Sequence, residues 1–284
     1  MKKLLVVFLM LCLSLSAFAA SDAKIGAAYG TITVDGVIDD AWAAAEQQDV
    51  ALVDKGVIPS STETTGKFRV MWDESYLYVL VEVDKAGKTV FTKAGGAEAN
   101  NDCVDLCLTL DGNFNGVSIA GGAKYAGCFR VVEDGTKSGF GYIYDTNKDK
   151  NLGKMVVDGS KYVVEYAISW DDITPVAGHV VSLDIQINDN TNNNRTGLVT
   201  WAATPCYCWD KSTEHGTVTL LAKPAAPETA PAETAPATAP AETVPATAPA
   251  ETAPATTPTT GGISVLALAG AAALLAGLAS KKRK

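Results

Sequence analysis

The sequence predicts an all-β fold, an antiparallel β-sandwich or jelly roll, over residues 21–223. Three observations predict it. Apolar and polar residues alternate at period two in short runs, the pattern of half-buried antiparallel strands. Gly, Asn and Asp break those runs, and no stretch sustains a helical period. Strands separated by turns over ~200 residues build a sandwich or jelly roll rather than an α/β enzyme.

In chain order the clearest runs are Lys67–Trp72, Tyr76–Val83, Val104–Leu110, Cys128–Val132, Tyr162–Ser169, Val180–Ile187 and Gly216–Leu221. Asp35-Gly36, Asp111-Gly112, Asp134-Gly135 and Asp158-Gly159 supply the positive φ that tight turns require. Asn188 to Asn194 reads as an Asn/Asp-rich loop. Such side chains cap turns or offer oxygens to calcium, so Asp84 and Asp189 are the candidate ligands for a structural Ca2+. Haem is expected only under an alternative reading of the cysteines.

The two ends carry different signals. Lys2 and Lys3, an apolar run from Leu4 to about Leu15, and Ala17-Phe18-Ala19-Ala20 have the order of a secretory leader, residues 1–20. The apolar run falls short of the ~20 residues that cross a bilayer. At the other end, uncharged Ile263 to Ala279 is followed by Lys281-Lys282-Arg283-Lys284. That combination predicts a C-terminal transmembrane anchor over 261–284 with its bases on the cytoplasmic side. Cell-wall attachment is the alternative, although no LPxTG-type pentapeptide precedes the segment.

Between them, nine of the chain's 12 prolines fall in 224–260 among Ala, Thr and Glu. Nothing there can build a core, so the segment is read as a disordered, extended stalk. At ~3 Å per residue it could lift a domain ~100 Å from the membrane. The expected location is therefore the outer surface of the cell.

Subtracting the two leader lysines and the four terminal bases leaves 17 Lys+Arg against 32 Asp+Glu, a net charge near −15. That surface repels nucleic acid and anionic lipid and admits neutral or cationic ligands.

Several strings taken together resemble family 9 carbohydrate-binding modules. Thr33-Val-Asp-Gly-Val-Ile-Asp-Asp-Ala-Trp42 and Phe68-Arg-Val-Met-Trp-Asp-Glu-Ser-Tyr-Leu-Tyr-Val79 resemble the family's opening. Asp102-Cys-Val-Asp-Leu-Cys-Leu-Thr-Leu-Asp111, Tyr162 to Trp170, Ile185-Gln-Ile-Asn-Asp189 and Trp201 to Gly216 follow in the family's order. The resemblance implies a DOMON-like β-sandwich, monomeric, that binds the end of a poly- or oligosaccharide and does not cleave it. A sugar's C–H face stacks on an indole while its hydroxyls need fixed donors and acceptors.

Carried over position by position, the resemblance implies that Trp209 is the closing tryptophan of an aromatic clasp, with Gly216 keeping the spacing. Arg130, Gln186 and Asp105 match the polar contacts, Asp105 being one methylene shorter than the family's glutamate. The first clasping tryptophan is replaced by Ala99, and an asparagine near the second by Cys206. Tyr125 or Tyr207 substitutes, or the ligand differs, or binding is weak.

Trp42, Trp72, Trp170 and Trp201 adjoin strand patterns and are read as packing. Cys103, Asp105 and Cys107 share one strand face, as do Cys128 and Arg130, while Cys206 and Cys208 flank Tyr207. These five cysteines are disulfide candidates; Cys103 and Cys107, ~13 Å apart on a strand, cannot pair with each other. The alternative for the thiols is a metal or haem site of the DOMON type, and a third possibility is an adhesion domain without a pocket. His179 and His215 read as turn-edge residues. No nucleophile elbow, zinc-protease helix or phosphate loop is present, and Asp105 with Glu133 or Glu165 is no argument for glycoside hydrolysis.

Overall fold

The computed structural model describes residues 21–54, 63–92, 101–191, 194–202 and 204–225. The leader, the terminal apolar segment and all but the first two stalk residues lie outside them, as does Ala99. No helix of the described residues is long and apolar enough to cross a membrane.

The chain runs through β1 (Lys24–Tyr29), β2 (Gln47–Val50), β3 (Leu52–Val53), β4 (Thr65–Trp72), β5 (Tyr76–Asp84), β6 (Cys103–Thr109) and β7 (Ala126–Val131). After β8 (Lys137–Phe140) comes a five-residue helix, α1 (Tyr142–Thr146). Then follow β9 (Leu152–Asp158), β10 (Lys161–Ser169), β11 (Val180–Thr191), β12 (Asn194–Thr200) and β13 (Gly216–Leu220). All seven expected strands are present. The sequence reading missed β1, β2, β3, β8, β9 and β12, which are short, lie at edges or alternate weakly.

One layer runs β8-β7-β6-β11-β13, with β12 also paired to β11; the other runs β4-β5-β10-β9, with β2 on β4. β1 stitches them together. Lys24 to Ala27 pair with Thr217 to Leu220, after which Ala28 and Tyr29 pair with Met71 and Trp72, both in parallel. These are the exceptions to the antiparallel expectation, and they join the layers into one nearly closed sheet.

The inner faces build the core. Val104, Leu106 and Leu108 of β6 and Leu183, Ile185 and Ile187 of β11 pack with Val79, Val81, Val164 and Tyr166 of the other layer. Trp42, Trp72, Trp170 and Trp201 are all buried, as their strand context predicts. Trp201 lies edge-on to Phe68, and its ring occupies the space a Cβ on Gly216 would fill, 2.4 Å away. Gly216 thus answers to a packing need of Trp201, whatever its spacing from Trp209.

Gly36, Gly112, Gly135 and Gly159 all take positive φ, as the Asp-Gly pairs predict. Gly135 and Gly159 turn the β7–β8 and β9–β10 hairpins. One expectation is corrected. Most of Asn188 to Asn194 is strand, because β11 continues to Thr191 and pairs with β12. The Asn188 and Asn190 amides bond to Asp105 and to the Asn101 carbonyl, so tertiary hydrogen bonds replace the turn-capping ones.

Candidate functional site

On β6 and β11 both faces are buried, though only one is apolar. The outward side chains are Cys103, Asp105, Cys107 and Thr109 on β6, and Ser182, Asp184, Gln186, Asn188 and Asn190 on β11. A polar face removed from water is costly unless its groups are bonded to one another.

Strand register lines up Arg130, Asp105 and Gln186 across β7, β6 and β11. Arg130 grips Asp105 with two parallel bonds, Nε to Oδ1 at 2.5 Å and Nη2 to Oδ2 at 2.7 Å. The Oδ2 atom also accepts from Gln186 Nε2 at 3.0 Å and Asn188 Nδ2 at 3.1 Å. Asn188 Oδ1 in turn accepts from Gln186 Nε2 at 2.9 Å and Arg195 at 3.1 Å. Burial alone would depress the Arg130 guanidinium, but the Asp105 charge and its hydrogen bonds overcome that and hold its pKa above the ordinary value. Three residues named from the sequence therefore meet in one rigid, charge-assisted cluster. Asn188 and Arg195 were missed. Asn188 stands two residues beyond Gln186, which puts both on one strand face, so alternation alone could have found it.

The fourth named residue, Trp209, lies on the loop between β12 and β13. Buried polar partners pin that loop: Asp54 accepts from Cys206 N at 2.8 Å, and His215 Nε2 meets the Cys208 carbonyl at 2.9 Å. Glu214 accepts from Tyr207 N at 2.7 Å, and the Asp210 carbonyl accepts from Ile119 N. Cys206 Sγ reaches Gln186 Oε1 at 3.0 Å, so the loop rests on the polar face itself. Trp209 and Tyr207 stay 41% and 43% exposed. Tyr125 is elsewhere, packed against the main core with Lys124 over its ring.

Cys107 and Cys128 face each other in register and form a disulfide, one of the pairings the sequence leaves open. Cys103, Cys206 and Cys208 are buried as well, with Asn188 Nδ2 donating to Cys103 Sγ at 3.4 Å. Burial pushes the Cys103 thiol up to about 12 and pulls His215 down to about 4, leaving that imidazole neutral with both nitrogens engaged. Of the two calcium candidates, Asp84 caps Ala86 N and faces Lys161 at the surface. Asp189 points at Lys85, a buried ammonium 3.1 Å away that also contacts Asp102 and the Thr89 and Asn190 carbonyls. The lysine already neutralises these oxygens, so they do not fit a resident calcium ion. Glu165 belongs to the other layer, where it accepts from Trp42, Asp35 and Gly36, far in topology from Asp105.

Comparison with known proteins gives a consistent picture. The family model described as carbohydrate family 9 binding domain-like matches residues 34–223. Exoglucanase XynX of Acetivibrio thermocellus is 30% identical over 200 residues, which cover 70% of this chain and 17% of that protein. Endo-1,4-beta-xylanase A of Thermoanaerobacterium saccharolyticum is 31% identical over 200 residues, 70% of this chain and 16% of that one. The match thus spans less than a fifth of either relative. Two solved structures of a carbohydrate binding module family 9 from Caldicellulosiruptor kristjanssonii share the fold. The glucose complex has a TM-score of 0.61 at 22% identity, covering 73% of this chain and 100% of that one. For the cellotriose complex the values are 0.59, 23%, 71% and 95%.

Proposed function

Since the chain belongs to the carbohydrate family 9 binding domain-like family, we propose that its sandwich domain is a non-catalytic module that holds the end of a poly- or oligosaccharide. The observation that carries this is the bonded cluster of Arg130, Asp105, Gln186 and Asn188 under a pinned loop with two exposed aromatic rings. A sugar hydroxyl needs donors and acceptors fixed in advance, and its C–H face needs a flat ring that water does not already lose by folding. Both are present. Tyr207, two residues before Trp209 and likewise exposed, is the aromatic we propose as substitute for the clasp tryptophan that the sequence lacks at Ala99.

The leader, stalk and apolar terminus support display outside the cell, on a membrane anchor. With the leader lysines and the terminal bases set aside, a net charge near −15 suits an uncharged glycan and disfavours nucleic acid.

Glucose and cellotriose, the ligands of the structural neighbours, are the first to try. Titration calorimetry of the exported chain should give a Kd near ~10⁻⁴ M for cellotriose, the affinity expected of a site with part of its aromatic clasp replaced. Borohydride-reduced cellotriose should bind more weakly if the sugar's end is what is held. No heat with any oligosaccharide of a broad array would overturn the proposal.

A further inference from the structure

Asp184 and Gln186 sit two residues apart on the outer face of β11, and Cys206 and Cys208 two residues apart on the loop that lies over them. The two thiols are 3.1 Å apart, and each lies within 4.8 Å of a carboxylate oxygen of Asp184. Gln186 Oε1 is 3.0 Å from one sulfur and 3.7 Å from the other. All four side chains are buried.

Asp184 is the telling member. Its Oδ1 accepts from Ile185 N and Ala202 N, but Oδ2, fully buried, has no hydrogen-bond partner among the described residues. A carboxylate oxygen held beside two thiols in a dry site is expensive without a cation or a proton.

We propose that Asp184, Cys206 and Cys208 bind a thiophilic divalent cation of the zinc type, with Gln186 Oε1 as the fourth donor. Two sulfurs and two oxygens from two i, i+2 pairs suit a tetrahedral ion, and soft sulfur excludes calcium or magnesium as its natural occupant. Zinc–sulfur bonds of ~2.3 Å set tetrahedral sulfurs ~3.8 Å apart, so the thiols spread by ~0.7 Å on binding. Both thiols lose their protons to solvent as the ion enters. The surroundings already orient the donors. His215 holds the Cys208 carbonyl and is itself fixed by Ser182, while Asp54 holds Cys206 N. Such an ion ties the loop bearing Trp209 and Tyr207 to β11. The site shares Gln186 with the polar cluster, through its other side-chain atom, and does not depend on the sugar proposal.

The test is cobalt titration of the purified, reduced full chain under anaerobic conditions. One equivalent of Co²⁺ should bring a sulfur-to-cobalt charge-transfer band and intense tetrahedral d–d bands, and zinc should erase both. Cys206→Ser, Cys208→Ser and Asp184→Asn should each lose this spectrum, whereas Cys103→Ser and Trp209→Ala should keep it. Native mass spectrometry of the unmutated chain should gain one zinc, a readout that survives if a variant fails to fold. An isolated chain carrying a Cys206–Cys208 disulfide that takes up no cobalt once reduced would overturn the proposal. So would bands that Cys103→Ser removes.

Discussion

The two outer faces of this sandwich solve the same problem in opposite ways. Over β4, β5 and β10, the segment before β2 lays down Trp42, 1% exposed, and its indole N–H donates to Glu165 at 3.1 Å. Ile32, Met71, Tyr78 and Leu80 close around it, so this face becomes a second small core. Over β6 and β11, the buried groups are polar, the covering loop is held by hydrogen bonds, and its indole is left in solvent. A tryptophan whose ring and N–H are both satisfied is structural. One left 41% exposed on a loop pinned by hydrogen bonds keeps its ring open to solvent.

The sharpest way to break this contrast is to remove each face's keystone. Trp42→Ala should cost ~3–5 kcal/mol, the range for a buried aromatic deleted to a cavity, and leave Glu165 short of a donor. For a domain of this size that lowers the melting temperature by ~10 °C, read by calorimetric scanning, with sugar affinity unchanged at temperatures where the fold persists. Arg130→Ala strips Asp105 of its only ion pair among the described residues and should cost ~3 kcal/mol, because an uncompensated carboxylate remains buried. Here sugar binding should be lost as well. Arg130→Lys keeps the charge without the two-bond geometry, so it should recover stability better than affinity.

Opening the Cys107–Cys128 bridge frees a loop of 21 residues in sequence separation and should cost ~2–3 kcal/mol in denaturant melts. Binding should survive, since the bridge lies beside the cluster and contributes no hydrogen bond to it among the described residues.

Much of the fold was legible because its central strands alternate strongly. The strands that escaped notice, such as β1 and β12, owe their place to pairing partners instead. Asn-rich β12 and the end of β11 looked like loop because Asn favours turns when its amide has only local partners. Asp105 supplies a distant one to Asn188. The site was half legible. Arg130, Asp105 and Gln186 could be named by resemblance and Asn188 by its alternation with Gln186, but the bidentate grip depends on strand register, which no local pattern encodes. The pairing of Lys85 with Asp102 and Asp189 joins the end of β5 to residues flanking β6 and on β11. Nothing in the sequence announces it.

The most direct measurement is paired calorimetry of Trp209→Ala and Trp42→Ala against cellotriose. Trp209 is 41% exposed, so its removal should change stability by less than ~0.5 kcal/mol. Stacking on that ring is worth a kcal/mol or more, so from a Kd near ~10⁻⁴ M its loss should weaken binding about tenfold, to ~10⁻³ M or beyond. Trp42→Ala should do the reverse, melting far earlier while binding as the parent does. A Trp209→Ala protein that binds cellotriose as tightly as the parent, or that unfolds, would contradict the assignment of this face as the sugar site.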